Sequence, residues 1–195
     1  MLKLPFSRFA VVGIDHRGAG LRKAVRWLVV FALCVSAGAC AASASTPSPA
    51  PSTPTRVETS DGRFHLSFEM PKTTWRATET IEGEATLTLS GNDTVTISGS
   101  SALFGFAFAS ADGTRHIVPI WQADCGTRTL EPGKPLTTSL DRSGDGWTAA
   151  ELSDRLLHLT PGDWTITAVA QFADGSGCAA VPHNLTAGIS IHVSA

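Results

Sequence analysis

The sequence predicts an all-β domain, an antiparallel β-sandwich of seven to eight strands, on three observations. Apolar and polar residues alternate with a period of two through repeated short stretches of residues 56–195. Gly, Pro, Asn and Asp clusters separate these stretches at intervals of about 8 to 12 residues, the spacing of sandwich strands. Only one short stretch carries a helical period, which leaves two packed sheets as the way to bury the apolar faces.

Taken in order, residues 1–39 read as an export signal. Arg22, Lys23 and Arg26 form a cationic collar, Trp27 to Val35 is a short apolar run, and Ser36-Ala37-Gly38-Ala39 are small residues leading to Cys40. The apolar run is shorter than the roughly 20 residues of a bilayer-spanning helix. Residues 1–20 are an unusual extension ahead of a cationic collar and point to a mis-assigned start near Val12 or Leu21. Ala37-Gly38-Ala39-Cys40 resembles the lipobox of bacterial lipoproteins. That resemblance implies a lipidated Cys40, an attachment to the membrane by acyl chains, and an extracytoplasmic location at the cell envelope. Each buried CH2 of such chains contributes about 0.8 kcal/mol, so more than one chain gives a stable anchor. The alternative is plain secretion after cleavage at Ala39 or Ala42.

Residues 40–55 comprise Cys40 and a segment of Ala, Ser, Thr and Pro. Such a composition has no large apolar side chains with which to build a core and predicts a tether.

The first strand of the domain is placed at Phe64, Leu66, Phe68 and Met70, alternating with His65, Ser67 and Glu69. A second follows Glu82-Gly83-Glu84 with Ala85, Leu87 and Leu89, and Gly91-Asn92-Asp93 turns the chain toward Val95 and Ile97. Phe104, Phe106 and Phe108 form an aromatic strand that Asp112-Gly113 joins to His116–Trp121 as a hairpin. Cys125 lies in a loop, and Leu136, Thr138 and Leu140 form the next strand. Residues 149–157, with Leu152 and Leu156 four apart, predict a short crossover helix. Trp164, Ile166, Ala168, Ala170 and Phe172 mark a central strand, because its second face is only partly polar. Ile189, Ile191 and Val193 close the domain. The chain has no tyrosine, so a tyrosine corner is excluded, and Trp164 is placed to fill the corresponding packing position.

Four segments carry a resemblance to the bacterial Ig-like domains related to the BsuPI-type proteinase inhibitors. They are Ile81-Glu82-Gly83-Glu84, the aromatic strand Leu103 to Phe108 with Asp112-Gly113, Leu130-Glu131-Pro132-Gly133, and Leu159-Thr160-Pro161-Gly162-Asp163-Trp164. The resemblance covers about Phe64 to Phe172 and implies an Ig-like sandwich. Gly105 stands where that family often has an acidic residue, and no inhibitory residue carries over.

Composition narrows the chemistry. Six basic residues and one acid precede Cys40, so the remainder has 9 basic and 16 acidic residues, a net charge of about −7. No basic cluster is left to engage phosphates, and no nucleic-acid partner is expected. Cys34 departs with the signal. Cys125 and Cys178 then remain, and two cysteines in an exported domain are expected to pair; a reactive thiol or a metal-ligand pair is the alternative.

Catalytic motifs are not found. Gly99-Ser100-Ser101-Ala102 and Gly175-Ser176-Gly177 do not complete a nucleophile elbow. Of the five histidines beyond Cys40, His65 and His192 are the pair placed to meet across a sheet, while His116, His158 and His183 are scattered. Asp141 to Gly146 starts like a calcium loop, but Leu152 stands at its twelfth position with Glu151 one residue early. Asn92 and Asn184 head glycosylation sequons that a bacterial lipoprotein would not use. No metal or cofactor is therefore assigned. Trp75, Trp121 and Trp147, beside loops or strand ends, are the candidate binding residues. The expected function is that of a cell-envelope lipoprotein with a non-enzymatic binding or scaffolding domain. Its partner would be an envelope protein or an extracellular ligand. The alternatives are an exported proteinase inhibitor and, third, a metal-binding lipoprotein.

Overall fold

Two β-sheets face each other in the computed structural model, which describes residues 53–178 and 182–195. The export signal, Cys40 and nearly all of the tether lie outside the described residues. The first sheet has the order β1 (Thr55–Asp61), β2 (Phe64–Met70), β4 (Glu84–Leu89) and β9 (Leu136–Ser139), all antiparallel. The second is built on β10 (Gly162–Asp174), which pairs along its length with β11 (Pro182–Ser194). The other edge of β10 is shared between β6 (Phe104–Ser110) and, at its end, β5 (Val95–Gly99). Beyond these lie β7 (His116–Ile117) against β6 and β8 (Gly126–Leu130) against β5. β3 (Thr74–Arg76) joins β11 in the one parallel pairing among the described residues. Short helix α1 (Ala149–Ser153) lies between β9 and β10.

An all-β sandwich is thus the fold, with eleven strands among the described residues rather than seven or eight, and with its second sheet mixed rather than purely antiparallel. The three additional strands, β1, β3 and β8, have short or mainly exposed sequences in which no apolar alternation is visible. β1 begins at Thr55, opposite Met70, so the domain takes up the last residue assigned to the tether. The predicted hairpin strand after Asp112-Gly113 is only the two residues of β7, and Trp121 lies beyond it.

The predicted alternation places the core. Phe64, Leu66, Phe68 and Met70 of β2 are buried against Trp164, Ile166, Ala168, Ala170 and Phe172 of β10 and the inner face of β11. Phe64 meets Phe172 edge-on with centroids 4.8 Å apart, and Phe68 lies 5.9 Å from Phe106 across the two sheets. Such aromatic pairs add directional contacts to area burial. Trp164 is buried near the start of β10, and its Nε1–H donates to the Thr160 carbonyl at 2.9 Å. A polar ring tip tied back to the chain just upstream is the arrangement a tyrosine corner makes with its hydroxyl.

Gly105 has a packing reason. A Cβ at this position would lie 2.4 Å from Pro119 Cβ, so the chain returning after β7 can pass only over a residue without a side chain. The same approach seats Trp121, whose ring would lie 3.3 Å from that Cβ.

Candidate functional site

A surface groove of about 800 Å³ opens where β2, the segment between β3 and β4, the end of β9 and α1 converge. It begins with the local sequence around α1. Thr148 caps the helix, accepting from Glu151 N–H, while the Glu151 carboxylate accepts from Thr148 N–H at 2.7 Å, a reciprocal capping box. The helix ends after Ser153, where Asp154 turns extended and its Oδ1 accepts from Leu156 N–H at 3.0 Å. The Arg142 guanidinium closes this C-terminus by donating to the carbonyls of Glu151 and Asp154. Cationic donors at the last carbonyls satisfy groups the helix leaves open.

The helix is therefore too short to bury a face. The helix predicted over residues 149–157 from the spacing of Leu152 and Leu156 stops at Ser153; the two leucines are 57% and 50% exposed, and the core receives Leu157 and Leu159. Both exposed leucines line the groove, with Ile81, Leu140 and Leu157 forming its apolar floor. Two backbone bonds hold that floor together: Ile81 N–H to the Leu157 carbonyl and Leu140 N–H to the Gly83 carbonyl, each 2.8 Å. Gly83 lets the connection pass tightly over β2, since a Cβ there would sit 3.0 Å from Phe68 Cε2.

Carboxylates rim this apolar floor. Glu69, Glu82, Glu84, Asp141 and Asp154 line the groove, against Arg142 and Arg155. Arg142 is already committed to the helix carbonyls and stands 3.9 Å from Asp154. The Asp154 carboxyl is held below its ordinary value chiefly by the Leu156 amide, against a desolvation that raises it, with His158 and then Arg142 adding to the lowering. For Glu151, burial pushes the carboxyl up, but Arg115 Nη2, 3.1 Å from both carboxylate oxygens, and the Thr148 donors outweigh it and hold it low. Glu82 and Glu84 are exposed and have no ion-pair partner among the described residues.

The residues singled out from sequence fare differently. Cys125 and Cys178 form a disulfide, with Cα atoms 6.0 Å apart, joining the start of β8 to the loop after β10. Trp75 is no surface residue: it is buried in the core at 4% exposure, with Lys72 Nζ 4.4 Å above its ring. Its strand runs beside β11, which turns the ring between the sheets. Trp147 is half-buried and meets Phe108 edge-on at 5.0 Å, so it covers the end of the core. Trp121 is half-buried over Gly105 and borders a smaller cleft with Gln122, Asp124 and Gln171. The three tryptophans do not share a site.

His65 and His192 do not meet. His65 is in β2 of the first sheet, whereas His192 is in β11 of the second, with Nδ1 2.6 Å from Asp163. Ser100 Oγ accepts from Gln122 N–H at 3.0 Å. Asp141 Oδ1 accepts from Ser143 N–H, so the calcium-like stretch is an ordinary Asx turn, and Glu151 is turned to Arg115. No cluster of three His, Cys, Asp or Glu side chains suited to a metal occurs among the described residues. No helix among them is long and apolar enough to cross a membrane.

Sequence reading missed the groove. Its signal was present in the leucine pair at 152 and 156, which a capping box and an early stop leave on the surface. No family model matches the chain, and no curated protein matches it.

Proposed function

We propose that this chain is a cell-envelope lipoprotein, anchored by lipid on Cys40, whose Ig-like sandwich works by binding a partner rather than by catalysis. The observation that carries the binding reading is the groove beside α1, where Leu152 and Leu156 stand at least half exposed over an apolar floor. Large exposed apolar side chains grouped at one concavity, rather than scattered, mark interaction sites. Neither leucine belongs to the buried core of the sandwich, and the other exposed large apolar side chains among the described residues, Val118 and Ile120, do not line this groove. The lipobox-like Ala37-Gly38-Ala39-Cys40 and the tether after it support an anchored domain that reaches outward from a membrane.

Two measurements test the two halves. Cys40→Ser should move the protein from the membrane fraction to the soluble extracytoplasmic fraction, and a variant that stays membrane-bound like the parent would overturn the anchor. A photo-crosslinking residue at Leu156 in intact cells should give a discrete adduct that the same residue at the exposed β1 position Glu58 does not. Identical adduct patterns at the two positions would overturn the binding role of the groove.

A further inference from the structure

The chemistry of the groove selects its occupant. We propose that it takes a short peptide segment of a partner protein, with apolar side chains flanked by lysine or arginine. The inference rests on the reading of the sandwich as a binding module and deepens it.

The apolar part of the match comes from Ile81, Leu140, Leu152, Leu156 and Leu157, which offer a floor and one wall to aliphatic or aromatic side chains. A groove of about 800 Å³ that opens to solvent accommodates several side chains of a continuous segment.

The charged part comes from the rim. Of its five carboxylates, Glu69 stands 3.8 Å from Arg56 and Asp154 is met by Arg142 and His158. Arg142 is also spent on the carbonyls of Glu151 and Asp154, which leaves Glu82, Glu84 and Asp141 against Arg155. Glu82, just before β4, and Glu84, its first residue, have no cationic partner among the described residues. An acidic rim attracts a basic flank, accelerates encounter and discriminates against acidic competitors. It also repels an anionic bilayer surface, so the exposed leucines are a poor lipid-inserting edge despite their polarity pattern.

The test uses the protein as purified from its cells in detergent. The probes are fluorescent twelve-residue peptides that alternate leucine or phenylalanine with lysine and arginine. Controls replace the basic residues by glutamate or the apolar residues by serine. Binding of the basic-apolar panel is expected, at least ten-fold tighter than either control and weakened by salt. Leu152→Ser with Leu156→Ser, and separately Glu82→Gln with Glu84→Gln, should each weaken it at least five-fold with unchanged melting temperature, since all four side chains are exposed. Equal binding of the glutamate panel, or insensitivity to both double variants, would overturn the proposal. So would leucine-dependent binding to phosphatidylglycerol vesicles in place of the peptides. Failure of every peptide together with a Leu156-specific crosslink in cells rejects the basic-apolar chemistry while the binding module stands; loss of that crosslink rejects the module itself.

Discussion

His183 Nδ1 of β11 lies 2.5 Å from Asp61 Oδ2 of β1, so a strand of one sheet is clasped to a strand of the other at the edge of the sandwich. The imidazole is stacked on Phe172 at 5.1 Å and meets Phe64 edge-on at 4.8 Å, while Asp174 stands 3.7 Å from its other nitrogen. The ring packing and the polar contact act on the same side chain, and the two can be separated by mutation. His183→Ala should destabilise the fold by roughly 1–2 kcal/mol, most of it from lost ring contacts. Asp61→Asn should cost below about 1 kcal/mol, because Asp61 is more than half exposed and the pair is screened. Denaturant unfolding of both variants checks the order; equal losses would show that the charge dominates.

Glu151 makes stability depend on pH. Its carboxyl is held below the ordinary 4.5 by Arg115 and Thr148 despite partial burial. A group with a depressed folded value contributes its full stabilisation above the unfolded value and loses it as pH falls through the folded value. Glu151→Gln is therefore expected to be less stable than the parent by roughly 1 kcal/mol at neutral pH. The gap should close as the pH is lowered from about 5 to about 3, as seen in unfolding midpoints measured across that range.

The Cys125–Cys178 bridge spans 53 residues and ties two exposed loops. Restricting a loop of that length in the unfolded chain stabilises the fold by about 4 kcal/mol in the chain-entropy description, and by 2–4 kcal/mol in common practice. The paired Cys125→Ser and Cys178→Ser variant should lose stability of that order and keep its far-ultraviolet circular dichroism, since the core residues lie elsewhere. Unchanged melting of the double variant would show that the bridge contributes little.

Gly105 separates packing from chemistry on the aromatic strand. Gly105→Ala should destabilise the fold by roughly 1–3 kcal/mol, because its Cβ would enter space held by Pro119. Gly105→Asp should be worse than Gly105→Ala, since the position is buried and the acid would lack a partner. Thermal melting of the two variants gives the comparison.

Much of the fold was legible because burial between two sheets writes a period of two into the sequence. The alternation Trp164 to Phe172 marks β10 and its inward face, and Phe64 to Met70 does the same for β2. β1, β3 and β8 were not legible, because edge strands are held by backbone pairing to a neighbour and leave mostly polar or exposed side chains. Trp75 shows the same blind spot: in a three-residue strand, only the parallel pairing with β11 decides that its ring faces the core.

The sequence by itself determined the all-β class, the inward face of each long strand and the place of Trp164 at the start of its strand, while the expected bridge between Cys125 and Cys178 is shown by the structure. The first three follow from local periodicity and composition, which each segment carries alone. The tertiary structure alone decided the clasp of His183 to Asp61, the separation of His65 from His192, and the groove. Each of these depends on which sheet a strand joins, and the partners that settle it are tens of residues away in the chain. Leu152 and Leu156 show the difference most plainly: their spacing predicted a helix over residues 149–157, and a capping box followed by an early stop at Ser153 left both open at the surface.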